Sequence, residues 1–422
     1  MLISILIPTR ERADYLKAAL ATCVAIPDPN IEIVVSDNAS LDRTQDVIRS
    51  FDDPRIVNVN PGRRVSMRQN FDFAIGRSTG EYVYIIGDDD GMLPEQFRAL
   101  RDIIEEYKPV AFTGRHLSFG WPMPNYHRRG HIKIRREHTF GVPSFVEAAP
   151  LARLVAAGRG DGAAPVPRIY HGCASRRMLE RMRSATGAFL NSRAPDTYFM
   201  LYTLFNEERY LFAEHPFSIA GHSSVDTGGA HRFHPDDPRA EPANRFALEA
   251  ESDPRQDQFP GRWKVMSLAY FSSLETVRRD FPAANIRPDY SNWYQQILRD
   301  ARGKGNVFPE VMATLGAYAE SIGTTDEFRE ASRDEDSDPR PIARFIRRIA
   351  KNLRLELPIV ISGAEGGVNT VATAAKAVDR VLGDGYLRTK KPNTRLTLWS
   401  RAQFRAFRGG LTAFSAKRLA NK

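Results

Sequence analysis

Three apolar runs in the first ninety residues each end in polar residues, and the stretches between them carry helical spacing. Leu2-Ile3-Ser4-Ile5-Leu6-Ile7 is almost continuously apolar and closes on Pro8-Thr9-Arg10-Glu11-Arg12. From Ala13 to Val24 the apolar residues Leu16, Ala19, Leu20 and Cys23 recur at helical intervals. Ile31-Glu32-Ile33-Val34-Val35 closes on Ser36-Asp37-Asn38-Ala39-Ser40, and Leu41-Asp42-Arg43-Thr44 opens a helix through Ile48 and Phe51. A weaker strand, Arg55 to Val59, leads to Pro61-Gly62, and Ser66 to Ile75 is again helical before Ser78-Thr79-Gly80 breaks it. This alternation predicts a parallel sheet covered by helices. Ligands of such sheets bind beyond the carboxyl ends of the strands, where Thr9, Asp37 and Asp88 to Asp90 would gather.

The third run, Gly80-Glu81-Tyr82-Val83-Tyr84-Ile85-Ile86, passes straight into Gly87-Asp88-Asp89-Asp90-Gly91. Three adjacent carboxylates repel one another, and in a cleft each also loses solvation, so a cation or a hydrogen-bond network must compensate. Hard oxygen donors favour magnesium or manganese over zinc. The bland alternative is an acidic surface turn, and the repeated strand-then-polar pattern upstream argues against it.

In this order, Pro8 to Arg12, Ser36 to Thr44, Asn70 in its helix and Gly80-Glu81-Tyr82 before the acidic triplet resemble the GT-A glycosyltransferases of family 2, of the bacterial surface-polysaccharide type. The resemblance covers residues 1 to about 115, thins towards 230 and is absent beyond. It implies a nucleotide-diphospho-sugar transferase fold and a nucleoside diphosphate sugar donor of UDP, GDP or dTDP type. Pro8, Thr9 and Asp37 would hold the base, and Arg12 or Arg68 would face the diphosphate, because a guanidinium fork matches phosphate oxygens. Asn70 would fix the region between the base and the acidic motif. Asp88 would serve the ribose or the metal, Asp89 would support it, and Asp90 would ligate a divalent ion, Mg2+ or Mn2+. The family's motif usually reads Asp-x-Asp or Asp-x-Asp-Asp, and Gly87 stands where the longer form begins.

An inverting transferase needs a general base for the acceptor hydroxyl. Asp196 is the candidate, at the first turn of a helix striped by Tyr198, Leu201, Tyr202 and Phe205. A plain helix-terminus contact is its structural alternative. Related family members use an acid at this point in the chain as the base. Asp161, in the Gly-rich stretch 158–162, is the rival acid. His222 and His231, in the polar Gly-rich stretch 221–231, are weaker metal candidates and read first as solvated side chains.

Composition suits a globular enzyme: 422 residues, 42% hydrophobic and 26% charged. Two cysteines make no disulfide framework, no apolar stretch reaches the roughly 18 residues needed to span a bilayer, and no signal-peptide front is visible. The expected location is cytoplasmic, where sugar nucleotides are made, or peripheral on the inner face of the membrane. The net charge of +9 belongs to the end of the chain, where residues 340–422 hold 18 Lys and Arg against four acids. Ile342, Phe345, Ile346, Ile349 and Leu353 share a helical face among basic residues, and Phe404, Phe407, Leu411 and Phe414 repeat the theme, which suits an anionic membrane surface. The alternative is a solvated helix packed on its own protein. No recognition motif for nucleic acid accompanies the basic residues.

The expected organisation is a GT-A domain over 1–230, a helical region over 231–332, a charged Pro-marked linker over 333–341 and a basic C-terminal extension over 342–422. The fold class is α/β, with a mostly parallel sheet, helices on both faces and a helical extension. The expected function is inverting transfer of a sugar to a hydroxyl of a glycan or lipid-linked glycan acceptor in cell-surface polysaccharide or lipopolysaccharide synthesis. Two alternatives remain at this point. A sugar-nucleotide nucleotidyltransferase would show a Gly-rich basic loop after the first strand, and Pro8 to Arg12 has no glycine. A catalytically silent glycan-assembly module would keep the fold without needing Asp90 or Asp196.

Overall fold

The computed structural model describes the chain except residues 123–129, 160–164, 225–236, 239–240, 256–258, 260–264, 303–306, 334–357, 389–393 and 409–422. The apolar runs become β1 (Ile3–Thr9), β2 (Ile31–Asp37), β3 (Ile56–Val59) and β4 (Tyr82–Ile85), separated by α1 (Ala13–Val24), α2 (Thr44–Arg49) and α3 (Met67–Arg77). They pair in parallel in the order β3-β2-β1-β4. β1 runs two residues further than the apolar pattern suggests, through Pro8 and Thr9. Its pairing with β4 stops at Leu6↔Ile85. Pro8, on the β4-facing side two residues later, therefore leaves no ladder donor missing.

Beyond the acidic triplet come β5 (Gly91–Met92), α4 (Phe97–Tyr107), β6 (Ala111–Gly120), β7 (His131–Ile134), β8 (Ser144–Glu147), α5 (Ala148–Ala156) and β9 (Gly172–Ser175). They are followed by α6 (Arg176–Thr186), α7 (Pro195–Asn206) and the long β10 (Arg209–His222). The sheet continues β4-β9-β6-β10-β5, with β8 also on β10. β9 is antiparallel to both neighbours and β10 parallel to β6, so β6 and β10 run with the first four strands. The sheet is thus mixed and mostly parallel, as the sequence pattern predicts.

Both faces are apolar and both are covered. Ile3, Ile5 and Ile7 of β1 point into one core with α1, α4 and the C-terminal α13 (Val371–Leu382) and α14 (Thr394–Arg408). Leu6, Val34, Val83 and Ile85 point into the other, built from α3, α6, α7 and a helical layer. That layer comprises α8 (Glu241–Glu251), α9 (Met266–Asp280), α10 (Tyr290–Arg302), α11 (Val307–Ile322) and α12 (Thr325–Arg333). Period-two alternation along buried strands fixes which residue meets which core.

Part of the basic C-terminal stretch is built into the first core. β11 (Ile359–Ser362) pairs antiparallel with β7, and Val371, Val378, Leu398 and Trp399 are buried. The other face of α14 is exposed: Leu396 is 59%, Phe404 57% and Phe407 66% accessible. The basic stripe expected over 342–354, most of the linker, and Leu411 and Phe414 lie outside the described residues.

Candidate functional site

The loops after β1 and β2 interlock at the carboxyl ends of their strands. Glu11 N donates to Ser40 Oγ at 2.8 Å, Leu41 N to Glu11 Oε1 at 3.0 Å, and Ala13 N, at the start of α1, to Asp42 Oδ2 at 3.0 Å. Glu11 and Ala39 both take left-handed backbone angles, φ +53° and +50°, which cost a non-glycine residue about 1–2 kcal/mol each and are held by this network. The interlock fixes Arg12 at the residue before α1, facing the end of β4.

There the acidic triplet is buried: Asp88 is 3%, Asp89 6% and Asp90 2% exposed. Thr9 Oγ1 donates to Asp88 Oδ2 at 2.7 Å. Arg12 reaches Asp88 Oδ1 at 2.9 Å and Asp89 Oδ2 at 2.7 Å. Ser223 Oγ, just past β10, donates to Asp89 Oδ2 at 2.6 Å, and Trp121 Nε1 donates to the Asp89 carbonyl at 2.8 Å. Asp90 turns the other way. Its Oδ1 accepts from Gly221 N and its Oδ2 from Gly87 N, both at 2.7 Å, and the Tyr170 hydroxyl is a third partner.

Two glycines make this packing possible. A Cβ on Gly87 would stand 2.1 Å from the Tyr170 hydroxyl oxygen and 3.0 Å from Asp90 Oδ2. The departure from an acid at this position is therefore steric: Tyr170 fills the space. A Cβ on Gly221 would stand 1.9 Å from the Asp89 carbonyl oxygen.

Electrostatics follow from burial. Desolvation pushes the Asp88 carboxyl above its ordinary value against the opposing charge of Arg12, with Asp89 adding to the rise. Desolvation, then the charge of Asp89, push Asp90 up as well. For Arg12 burial disfavours the cation, but Asp88 and Asp89 outweigh it and raise its pKa. One guanidinium thus faces two carboxyl groups, Asp88 and Asp89, while the third, Asp90, is held by backbone amides.

Asp37 is fully buried, and its carboxylate accepts from Ser40 N at 3.1 Å, Gln45 Nε2 at 2.5 Å and Asn60 Nδ2 at 3.3 Å. Asn70 ties the end of β2 to α3: Ser36 Oγ donates to Asn70 Oδ1 at 2.7 Å and Asn70 Nδ2 to the Ser36 carbonyl at 3.2 Å. Arg68 is not brought to the triplet. It forms a buried bidentate pair with Asp253, with both nitrogens at 2.7 Å, and lies 3.5 Å from Asp72.

Asp196 sits in the first turn of α7, after Pro195. Its side chain opens to solvent while protein surrounds it on the other sides. The resulting desolvation raises its pKa, opposed by the Thr197 amide and the charge of Arg168. A chain of contacts leads from it back to the triplet. Arg168 Nη1 lies 3.2 Å from His116 Nδ1, the His116 ring stacks on His171 at 4.8 Å, and His171 Nε2 lies 3.3 Å from Asp90 Oδ2. Desolvation first, and the neighbouring cation and histidines after it, lower the pKa of His116 and His171, so both rings are neutral. Sequence reasoning missed Tyr170, His171, Trp121 and Ser223. Each is a single residue in an otherwise ordinary segment, and only sheet pairing brings them to β4. His222 is bonded to Ser118 at 2.7 Å. Asp161 and His231 lie outside the described residues.

Residues 4–157 match the sequence model of the family described as Glycosyl transferase family 2. This first part of the chain is similar to glycosyl transferase family 2. The family segment contains β1 to β4, the triplet and Arg12, and ends before Asp196. Among curated proteins, abequosyltransferase RfbV of Salmonella typhimurium is 31% identical over 126 residues, which is 27% of this chain. The match spans only 36% of that relative's length. Among solved structures, the chain is similar to S. aureus TarS 1-349 in complex with UDP-GlcNAc, with 14% identity, 78% of this chain, 90% of that one and a TM-score of 0.45. It is also similar to the mannosyltransferase PcManGT of Pyrobaculum calidifontis in complex with GDP-Man and Mn2+, with 16% identity, 84% and 88% coverage and a TM-score of 0.37.

The acidic site fits a divalent ion by the chemistry of its donors. Its carboxylate oxygens are hard, its charge is only partly balanced by Arg12, and the buried Nε2 of His171 has no hydrogen-bond partner among the described residues. Among the described residues no three His, Cys, Asp or Glu side chains are arranged to hold a metal by themselves. Magnesium and manganese are commonly held by one or two carboxylates, with substrate phosphates and water completing the shell.

Proposed function

We propose that the protein is an inverting glycosyltransferase that moves a sugar from a nucleoside diphosphate sugar to a hydroxyl of a cell-surface polysaccharide or lipopolysaccharide acceptor. The observation that carries this reading is the coincidence of the family 2 segment with the site at the ends of β1, β2 and β4, where Thr9, Arg12, Asp88 and Asp89 converge. The abequosyltransferase relative supports sugar transfer.

In this reading Pro8, Thr9 and Asp37 receive the base, with Gln45 and Asn60 yielding Asp37's outer oxygen. Asn70 holds the end of β2 in place for it. Arg12 meets the diphosphate, where a charge that cannot be titrated away stabilises the leaving group. Asp88 and Asp89 would hold Mg2+ or Mn2+, and the bound ion would neutralise charge developing on the diphosphate. Asp90, expected on the metal, has three donors of its own and instead fixes the turn that aims its two neighbours. Arg68, locked by Asp253, supports α3. Asp196 takes the proton of the acceptor hydroxyl, and a carboxyl whose pKa is raised above its ordinary value is a stronger base for it.

We further place the protein at the cytoplasmic face of a membrane. No helix among the described residues is long and apolar enough to cross one. α14 offers Leu396, Phe404 and Phe407 outward, beside Arg401 and Arg408. Such a face suits anionic lipid.

The deciding experiment is calorimetric titration of UDP-, GDP- and dTDP-sugars with and without Mn2+. Tight binding of one donor that needs the ion is expected, together with its loss in Asp88→Asn. If no nucleotide sugar binds, the transferase reading fails. For the membrane, flotation of the full chain with phosphatidylglycerol vesicles should weaken in Phe404→Ser/Phe407→Ser; equal flotation removes that part.

A further inference from the structure

Arg12 stands where a metal ion would also have to stand. Its terminal nitrogens reach Asp88 Oδ1 at 2.9 Å and Asp89 Oδ2 at 2.7 Å, so one guanidinium spans two buried carboxylates. Nη2 also donates to Ser223 Oγ at 2.6 Å. Yet its Nε is buried with no hydrogen-bond partner among the described residues. A guanidinium whose only task was to tie the fold together would be expected to satisfy that donor, because buried polar groups rarely go unpaired.

A second nitrogen nearby is in the same condition. His171 is 4% exposed, and its Nε2 has no hydrogen-bond partner among the described residues while lying 3.3 Å from Asp90 Oδ2. Three carboxyl groups, one cation and two unsatisfied buried nitrogens do not make a finished structural network. They make one that is incomplete without a ligand.

The guanidinium is also placed to move. Arg12 precedes the first turn of α1, so its side chain can rotate without disturbing the helix. It lies over the Tyr15 ring at 5.4 Å, and Tyr15 packs edge-on against Trp121 at 4.8 Å, which gives the swinging group an aromatic platform. Because the guanidinium keeps its charge, a divalent ion cannot join it between Asp88 and Asp89 and must push it aside. A diphosphate is what would receive it there.

We propose that Arg12 is a resident cation that holds Asp88 and Asp89 together until a divalent ion enters, and is then displaced onto the donor's diphosphate. Arg12 thereby weakens binding of the metal alone and couples it to binding of the nucleotide. The coupling is reciprocal, since whatever factor the nucleotide adds to metal affinity the metal adds to nucleotide affinity. This inference rests on the nucleotide-sugar reading for the identity of the group that receives Arg12. The displacement itself does not depend on it.

The test is Mn2+ binding to the full chain, followed by the electron paramagnetic resonance of the free ion, without nucleotide and then with UDP, GDP or dTDP. Wild type should bind Mn2+ alone weakly and gain roughly tenfold with its nucleotide, while Arg12→Gln binds Mn2+ alone roughly tenfold more tightly and loses most of that gain. Arg12→Lys keeps the charge but cannot fork, and should fall between the two. Equal or weaker Mn2+ binding by Arg12→Gln, or none by either protein, overturns the proposal. Should Arg12→Gln not fold, an Arg12→Lys affinity no higher than wild type overturns it. If no nucleotide binds wild type, the transferase reading fails, and the comparison of Mn2+ alone still decides the role of Arg12.

Discussion

Removing the Asp253 carboxylate should damage the fold more than removing any substrate contact. Arg68 is 4% and Asp253 2% exposed, and two bonds of 2.7 Å join them. The same carboxylate accepts from Ser66 Oγ at 2.5 Å and Arg255 N at 2.9 Å. Ser66 is the N-cap of α3, with a capping box to Gln69, so one acid ties the helical layer to the helix that carries Asn70. In Asp253→Ala the Arg68 charge stays buried, and among the described residues Asp72 at 3.5 Å is left to answer it. Breaking one side of such a pair costs about 3–5 kcal/mol. Arg68→Met should cost less, because Asp253 can protonate and keeps two donors. Burial raises the Asp253 pKa, but Arg68 and Ser66 outweigh it and hold it below its ordinary value. Its contribution is therefore present at neutral pH and lost as pH falls below the ordinary carboxylate range of about 4. Urea denaturation of the variants from pH 3 to 7, with hydrogen exchange over 66–77, reads all three effects. A loss under about 1 kcal/mol in Asp253→Ala would refute the argument. So would an Arg68→Met variant of full stability that had lost donor binding, which would return Arg68 to the diphosphate.

Four further outcomes are expected. Asp196→Asn should lower kcat by about 10²–10⁴ with donor affinity unchanged, in steady-state kinetics and calorimetry respectively; an unchanged kcat removes it as the base. Gly87→Ala should lower thermal stability and be largely rescued by Tyr170→Phe, since the added methyl would stand 2.1 Å from the hydroxyl that the second change deletes. Asp379, in α13, is pushed up to about 7 by burial, against bonds from Gln96 and the Glu95 amide. The folded state thus binds a proton that the unfolded state releases, and stability should fall by up to about 4 kcal/mol from pH 4 to 7 in wild type and much less in Asp379→Asn. Trp399→Ala, at 5% exposure, should cost about 3–5 kcal/mol in chemical denaturation; a smaller loss would mean that α14 does not belong to the core.

The first four strands and their helices were legible because period and punctuation agree there. Continuous apolar runs mark strands buried on both faces, and the polar residues that stop them lie where the sheet opens. What the pattern could not give is β9, a four-residue strand antiparallel to both neighbours, or the pairing of β11 with β7 across more than two hundred residues. Short strands carry too few residues for a period to declare itself. The C-terminal stretch misled in another way. Its charge was read correctly, but α14 is amphipathic twice over, with Leu398, Trp399, Ala402 and Ala406 buried and Phe404 and Phe407 exposed. Charge counting sees only the outer face.

Within the site, residue types were legible and directions were not. Three consecutive acids on an irregular turn cannot all face one way, and sequence does not say which will turn inward. The backbone decides it: Gly87 and Gly221 donate their amides to Asp90, and Tyr170 closes over it, leaving Asp88 and Asp89 to Thr9, Arg12 and Ser223. The same geometry explains why an arginine, three residues past the end of β1, matters as much as the acids. Asp90 is compensated by its hydrogen bonds, whereas buried Asp88 and Asp89 face a cation, and Arg12 is the one the chain itself supplies. If the proposed metal site holds, substitutions at Arg12 should change its affinity for Mn2+ without altering a single carboxylate.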